Sequence, residues 1–550
     1  MGEKLVIGVD FGTLSARAAL VRAQDGVCIA EAEHAYAHGV MDKSLPCGKP
    51  LPQDFALQHP MDYMEALEET IRAVMEKSGA AAEDVEGIGL DVTAATVLPV
   101  DAQGTPLCMK AEYVNEPHAY VKLWKHHGAQ AQADRMTALA ITSGEDFLPW
   151  YGSRISCELA LPKLLETLEK APQVYETMDC LMEMGDWLVR RLCGVHVQSL
   201  CAAGYKNLRR TDEGYPDDAY FAALNPAFAG VIEKKCSAPV MGVGSCAGGL
   251  TQEMAQRLGL MPGTPVATAM IDAHVCALSC GLTKPGQMLA ILGTSACYMS
   301  LGEDGTLAPG ICGVVKDGIL PGCYGYEAGQ SAVGDLFGWM TKGFVPEAYQ
   351  QEADKQGVSI HQHLTNLAAQ LAPGESGLLA LDWLGGCRSP LMDSGVSGMI
   401  LGLTLQTKPE EIYRSLIEST AYGARMIVEN YRTHGIAVDE FFVTGGIGKK
   451  NPLVMQIFAD VLGMDVKVIA CTQGGAQGSA ILAAAAAGMH EDLRTAIAAM
   501  ASPVERVYTP DAAHHGTYDA LYAEYCRLHA YFGRGENDVM KRLKAMKPEW

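Results

Sequence analysis

The chain has 550 residues, 49% hydrophobic and 19% charged, which excludes a disordered protein and is too long for one ordinary core. A formal net charge of −22 argues against nucleic-acid binding, which needs clustered Lys and Arg. A small-molecule enzyme or a protein-binding ATPase remains. A cytoplasmic setting is expected, because Met1 leads into strand-like sequence without a leader pattern and the longest small or apolar run, 480–488, is too short for a bilayer. The 17 cysteines contain no Cys-x-x-Cys pair and read as buried thiols. His126-His127 and His514-His515 lack metal-ligand spacing.

In chain order, Leu5–Phe11 reads as a strand, Gly12-Thr13 as a break, and the residues around Arg17 to Arg22 as a second strand closed by Asp25-Gly26. A helix is expected over 61–77, a strand over Val85–Val92, and a helix over 182–192. Pro262-Gly263-Thr264-Pro265 is the expected junction between an N-terminal domain, 1–262, and a C-terminal one, 263–550. A buried strand is expected over 267–271, followed by Asp272 and a helix. Gln287–Leu292, Gly293-Thr294-Ser295 and a strand from Ala296 to Leu301 then repeat the opening pattern, with Asp304-Gly305 as the turn. The recurrence implies an internal duplication of an α/β domain. An amphipathic helix follows over 410–431, then an apolar strand running into Gly445-Gly446, and a mainly helical tail over 518–547.

Three loops carry phosphate chemistry. In Asp10-Phe11-Gly12-Thr13-Leu14-Ser15, Gly12 lets backbone approach a phosphate, Thr13 and Ser15 offer hydroxyl donors, and Asp10 is placed to hold Mg²⁺ directly or through water. Gly293-Thr294-Ser295 has the same chemistry without the carboxylate. Gly445-Gly446, with Asn451-Pro452 opening the next helix, has the form of a nucleotide crossover. No Gly-x-x-x-x-Gly-Lys-Ser/Thr loop is present. Asp272, at a strand's carboxyl end, is a candidate general base, with a helix N-cap as the alternative reading. Thr93, Thr96, Lys206 and Glu327 stand in apolar or Gly-rich contexts suited to a polyhydroxylated ligand.

These residues resemble the FGGY carbohydrate kinases. The similarity rests on Gly398-x-Ile400-x-Gly402-Leu403 with Glu411-Ile412-x-x-Ser415-Leu416-Ile417-Glu418, on Gly185-Asp186-Trp187, Ala203-Gly204-Tyr205-Lys206 and Ile271-Asp272-Ala273-His274, and on Glu327-Ala328-Gly329-Gln330. It covers nearly the whole chain. It implies two actin-like, ribonuclease-H-like α/β domains with sugar and MgATP meeting in the cleft between them. It also implies the branch of the family that phosphorylates L-ribulose in L-arabinose catabolism; D-ribulose, xylulose or another polyol is the alternative, and an actin-like ATPase without a sugar acceptor a more distant one. The resemblance makes Asp272 the base, Asp10 the Mg²⁺-associated carboxylate, and Gly293, Thr294 and Ser295 the opposing loop. It puts Gly445, Gly446 and Asn451 at the nucleotide, and Ala94 or Ala95, Lys206, Asp272 and Glu327 at the sugar. It leaves a homodimer open. Two departures stand out: Pro162-Lys163-Leu164-Leu165-Glu166 lacks the Trp that follows Lys in the family signature, and Ala95 stands where a Cys is familiar.

Overall fold

Leu5–Phe11 is apolar on both faces because it runs through the middle of a covered sheet. In the computed structural model, which describes residues 3–546, that sheet has seven strands. Leu5–Phe11, Ser15–Arg22 and Cys28–Ala35 form an antiparallel meander. On its other side Leu5–Phe11 runs parallel to Val85–Val92, which pairs in turn with Pro265–Ala267 and Met270–Ile271. Cys246–Gly249 closes the edge, antiparallel to Pro265–Ala267.

The second seven-stranded sheet repeats this plan. Gln287–Leu292, Ala296–Gly302 and Tyr324–Gln330 form the meander, and Glu440–Thr444 and Val466–Ile469 continue parallel to Gln287–Leu292. Val504–Tyr508 is its antiparallel edge. The duplication read from the two Gly-Thr loops is therefore present in six strands of each sheet; Met270–Ile271 in the first and Gly313–Lys316 in the second stand outside it.

Two helices join the halves. Gly474–Ala486, from the second half, lies on the first sheet so closely that a Cβ at Gly8 would sit 1.9 Å from the Ala476 carbonyl oxygen, and one at Gly89 would sit 1.9 Å from that of Ser479. Asp272–Ser279 crosses it, and a Cβ at Gly478 would sit 2.3 Å from the Val275 carbonyl oxygen. Only glycine permits such backbone-to-backbone approaches.

Several expected boundaries move. The chain stays with the first sheet through Pro262-Gly263-Thr264-Pro265: Thr264 N–H closes a turn on the Met261 carbonyl at 3.3 Å, Gly263 N–H bonds the Leu250 carbonyl at 2.8 Å, and Val266 then pairs with Ile88. The expected strand over 267–271 is two short strands, Pro265–Ala267 and Met270–Ile271. The helix expected from 182 begins at Met184, because Cys180–Glu183 pairs with Val97–Val100 in a small four-stranded sheet. The helical tail is Ala512–Gly533 and Val539–Ala545, and Lys547 lies outside the described residues. Among the described residues no helix is long and apolar enough to cross a membrane.

Candidate active site

Three parallel strands end side by side. Phe11 is in register with Val92, and Val92 with Ile271. The next residues, Gly12, Thr93 and Asp272, therefore stand together at the carboxyl edge, where ligands of open α/β sheets gather. Asp272 opens the Asp272–Ser279 helix, and its carboxylate accepts the Ala273 N–H at 2.7 Å. It thus does the work of a helix-start acceptor while keeping a place in the cleft. Burial, reinforced by the charge of Asp10, raises its pKa to about 7.

Asp10 and Asp91 are in register on neighbouring strands. Asp91 is fully buried; its Oδ2 accepts the Ser479 hydroxyl at 2.7 Å and its Oδ1 has no donor. Burial, then the charge of Asp10, pushes its pKa well above the carboxylate range. Of the two carboxyls Asp91 is therefore the one whose charged form is the more disfavoured, and it lies in contact with Asp10. Burial raises the pKa of Asp10 too, and this contact with Asp91 and Arg17, whose Nη1 lies 3.7 Å away, counters it. Gly475 leaves room for the carboxylate, since a Cβ there would fall 2.6 Å from Asp10 Cγ. A desolvated carboxylate beside a glycine loop fits a hard divalent cation such as Mg²⁺, which would restore its charged form.

The loop donors divide. Gly12 N–H closes the hairpin on the Ser15 carbonyl at 3.0 Å, and the Ser15 hydroxyl is committed to Glu33 at 2.7 Å. Thr13 is half-buried, with its Oγ1 accepting Trp124 Nε1–H at 3.2 Å. In the second half Gly293 N–H bonds the Ser295 carbonyl at 3.0 Å, closing a turn one residue shorter than the first. Gly293 and Thr294 are exposed, and their carbonyls accept from Gly334 and Val333 at 3.0 and 2.9 Å. Gly445 adopts φ 97° and presses on the end of the same strand: a Cβ there would lie 2.4 Å from the Leu292 carbonyl oxygen. Gly446 faces open space. Asn451 caps the Pro452–Leu462 helix, accepting Val454 N–H at 3.2 Å, and its amide donates to Thr365 at 3.2 Å.

Opposite Asp272 stands a charge cluster shared by both halves. Glu327 receives Lys206 Nζ at 2.7 Å and Arg388 Nη2 at 2.8 Å. Burial disfavours the Glu327 charge, but Lys206 and Arg388 override it and hold its pKa at about 2. His274 Nε2 lies 3.5 Å from Glu327, its ring packs at 4.0 Å from that of Tyr205, and burial lowers its pKa to about 3. Cys297, just after the second loop, touches Arg388 at 4.0 Å. Ala94 is half-buried in the 93–96 loop, whereas the Ala95 side chain is buried.

Arg388, Asp91 and His274 join the cleft without having been singled out in the sequence. Arg388 follows Gly385-Gly386-Cys387 in a segment without periodicity, so only the fold brings it to Glu327. Asp91 carried a readable signal, a carboxylate within a buried apolar strand. Elsewhere His38, His59 and Asp62 bring candidate ligand atoms within 4.8 Å of one another. Without an ion, His38 Nδ1 bonds Asp62 at 2.7 Å, and His59 Nδ1 accepts the Met61 N–H at 3.3 Å.

The chain matches two models of the FGGY family of carbohydrate kinases, the N-terminal domain over residues 5–279 and the C-terminal domain over 288–487. It is 50% identical over 539 residues to a protein named ribulokinase from Bacillus licheniformis, covering 97% of this chain and 98% of that one. A ribulokinase from Geobacillus thermodenitrificans is 47% identical, with coverage of 100% and 98%. Among solved structures, gluconate kinase from Lactobacillus acidophilus superposes with a TM-score of 0.81 at 17% identity, covering 97% of this chain and 99% of that one. Xylulose kinase from Rhodospirillum rubrum gives 0.78 at 24%, with coverage of 96% and 98%. At these identities the structural likeness establishes the two-domain, actin-like fold alone.

Proposed function

The chain belongs to the FGGY family of carbohydrate kinases, and from that premise we propose that it transfers the γ-phosphoryl group of ATP to the 5-hydroxyl of L-ribulose, in the cytoplasm. The observation that carries the transfer chemistry is Asp272, poised between the Asp10 loop and the Lys206–Glu327–Arg388 cluster with a pKa near 7. A base titrating there can accept the hydroxyl proton at neutral pH as the oxygen attacks. The choice of sugar is supported by relatives named ribulokinase that align along almost their full length.

In this reading Ala94 or the Ala95 backbone, Lys206 and Glu327 orient the sugar, with Lys206 donating and Glu327 accepting. The sugar's reactive hydroxyl is then presented to Asp272. Gly12 and Thr13 on one side, and Gly293, Thr294 and Ser295 on the other, hold the phosphates through backbone and hydroxyl donors, while Gly445, Gly446 and Asn451 border the nucleoside. Ser15 is assigned to shaping the first loop, because its hydroxyl is already engaged by Glu33. Mg²⁺, held by Asp10, would neutralise charge on the transferring phosphates. We also put the division between the halves after Asp272–Ser279, where the first sheet is complete and before the second begins at Gln287.

The test is ADP release with L-ribulose, D-ribulose, D-xylulose and no sugar. L-ribulose is expected to give the highest kcat/KM. A higher value for another ketopentose would reassign the substrate, and ADP release indifferent to every sugar would remove the kinase reading.

A further inference from the structure

Ala95 carries a Cβ yet adopts φ 45°, and it is buried to 1% exposure. A non-glycine residue stays in the left-handed region only where its surroundings hold it there. The group that holds it is Lys163. On the Ala160–Lys170 helix this side chain is completely buried, and its Nζ donates to the Ala95 carbonyl at 2.7 Å and to the Leu123 carbonyl at 2.9 Å. A lysine is rarely retained in an apolar interior unless its ammonium has specific work, because desolvation penalises the charge.

Both carbonyls belong to segments that reach the cleft. Ala95 lies in the 93–96 loop, which leaves the Val85–Val92 strand beside Asp272 and is braced by a 2.8 Å bond between the Thr93 and Thr96 hydroxyls. Leu123 precedes Trp124, whose indole N–H donates to Thr13 of the first phosphate loop at 3.2 Å. One buried ammonium thus ties the loop beside the base to the segment that steadies the first phosphate loop.

We propose that Lys163 is a positioning residue for the sugar: its ammonium pins the left-handed Ala95 peptide and so sets the direction in which the 93–96 loop meets the sugar's hydroxyls. What occupies the loop rests on the kinase reading above; the strain at Ala95 and its bond to Lys163 do not. Lys163 touches neither sugar nor phosphate and acts through Ala95.

The test compares the parent with Lys163→Met, Lys163→Gln, and Lys163→Met combined with Ala95→Gly, measuring sugar KM, ATP KM, kcat and Tm. Lys163→Met is expected to raise the sugar KM at least tenfold and to leave the ATP KM within about twofold. Lys163→Gln keeps one donor for the Ala95 carbonyl and is expected to fall between parent and Lys163→Met. Ala95→Gly removes the penalty of positive φ and is expected to recover at least threefold of the sugar KM lost in Lys163→Met. Equal changes in both KM values, no change in sugar KM, or no recovery with glycine would overturn the inference. Failure of both single variants to fold would also overturn it, assigning Lys163 to stability alone. Sugar-dependent ADP release by the parent is measured in the same series, so failure of the kinase reading appears in the parent and failure of this inference only in the variants.

Discussion

The two sheets share a strand order and a Gly-Thr hairpin turn, yet they differ at the two positions that matter for charge. Where the first sheet sets Asp10 against Asp91, the second sets Ile291 against Thr444, two residues before Gly293 and one before Gly445. The Gly-Thr turn recurs in both halves, while this carboxylate pair stands in the first alone. The second half offers glycine backbone and open space, at Gly293 and Gly446. The halves are electrostatically joined at Glu327, where a first-half lysine and a second-half arginine meet one carboxylate.

The largest expected effect breaks this division at its working end. Asp272→Asn should reduce kcat by several orders of magnitude while ATP binding, followed by calorimetry, is kept. In the parent, burial and the charge of Asp10 raise the Asp272 pKa to about 7, and the base must be deprotonated to work. Hence kcat/KM should fall as pH drops through about 7, and the residual activity of Asp272→Asn should lack that limb. An acid limb retained in the variant would move the titration to another group. Full turnover would remove Asp272 from the mechanism.

Next in size is the join between halves. Glu327→Gln leaves Lys206 and Arg388 facing one another without their shared anion. Breaking a buried pair in this way costs about 3 kcal/mol, and the partial exposure of Arg388 brings the figure down. Denaturant unfolding should register the loss, and the sugar KM should rise more than tenfold with a smaller change for ATP. A sugar KM equal to the parent's would show that the cluster serves the fold and not the sugar.

How far the sequence exposes this arrangement depends on the kind of signal. The duplicated strand–Gly-Thr–strand units are legible because alternation of apolar residues is local and glycine marks the turn. Asp272 is legible as a carboxylate at a strand's end. Pro262-Gly263-Thr264-Pro265 shows the limit of composition as a boundary signal, because a turn that keeps the chain with its sheet has the same composition as one between domains. At Ser15 the motif supplies a hydroxyl, and only pairing with Cys28–Ala35 reveals Glu33 as its partner. The partners of Arg388 and Lys163 are hidden because each contact spans more than sixty positions, to Glu327 and to Ala95. Contacts of that span leave no periodicity.

The smallest expected effect separates the two first-half carboxylates. Both are buried or nearly so, and sequence alone gives each the same claim to charge. If Asp91 carries a proton while Asp10 carries the charge, Asp91→Asn preserves every bond: the amide oxygen accepts from Ser479 and the amide N–H replaces the acid proton facing Asp10. The variant should then keep kcat within about threefold of the parent and its stability within about 1 kcal/mol, the worth of one neutral hydrogen bond. Asp10→Asn has no such equivalence, because it removes the charge on which the phosphate side relies, and its dependence on divalent cation should change. Measured side by side, a small effect at Asp91 and a large one at Asp10 assign the single negative charge of the pair to Asp10. Comparable losses at both would mean that Asp91 is ionised during turnover, and that the first sheet carries two charges where the second carries none.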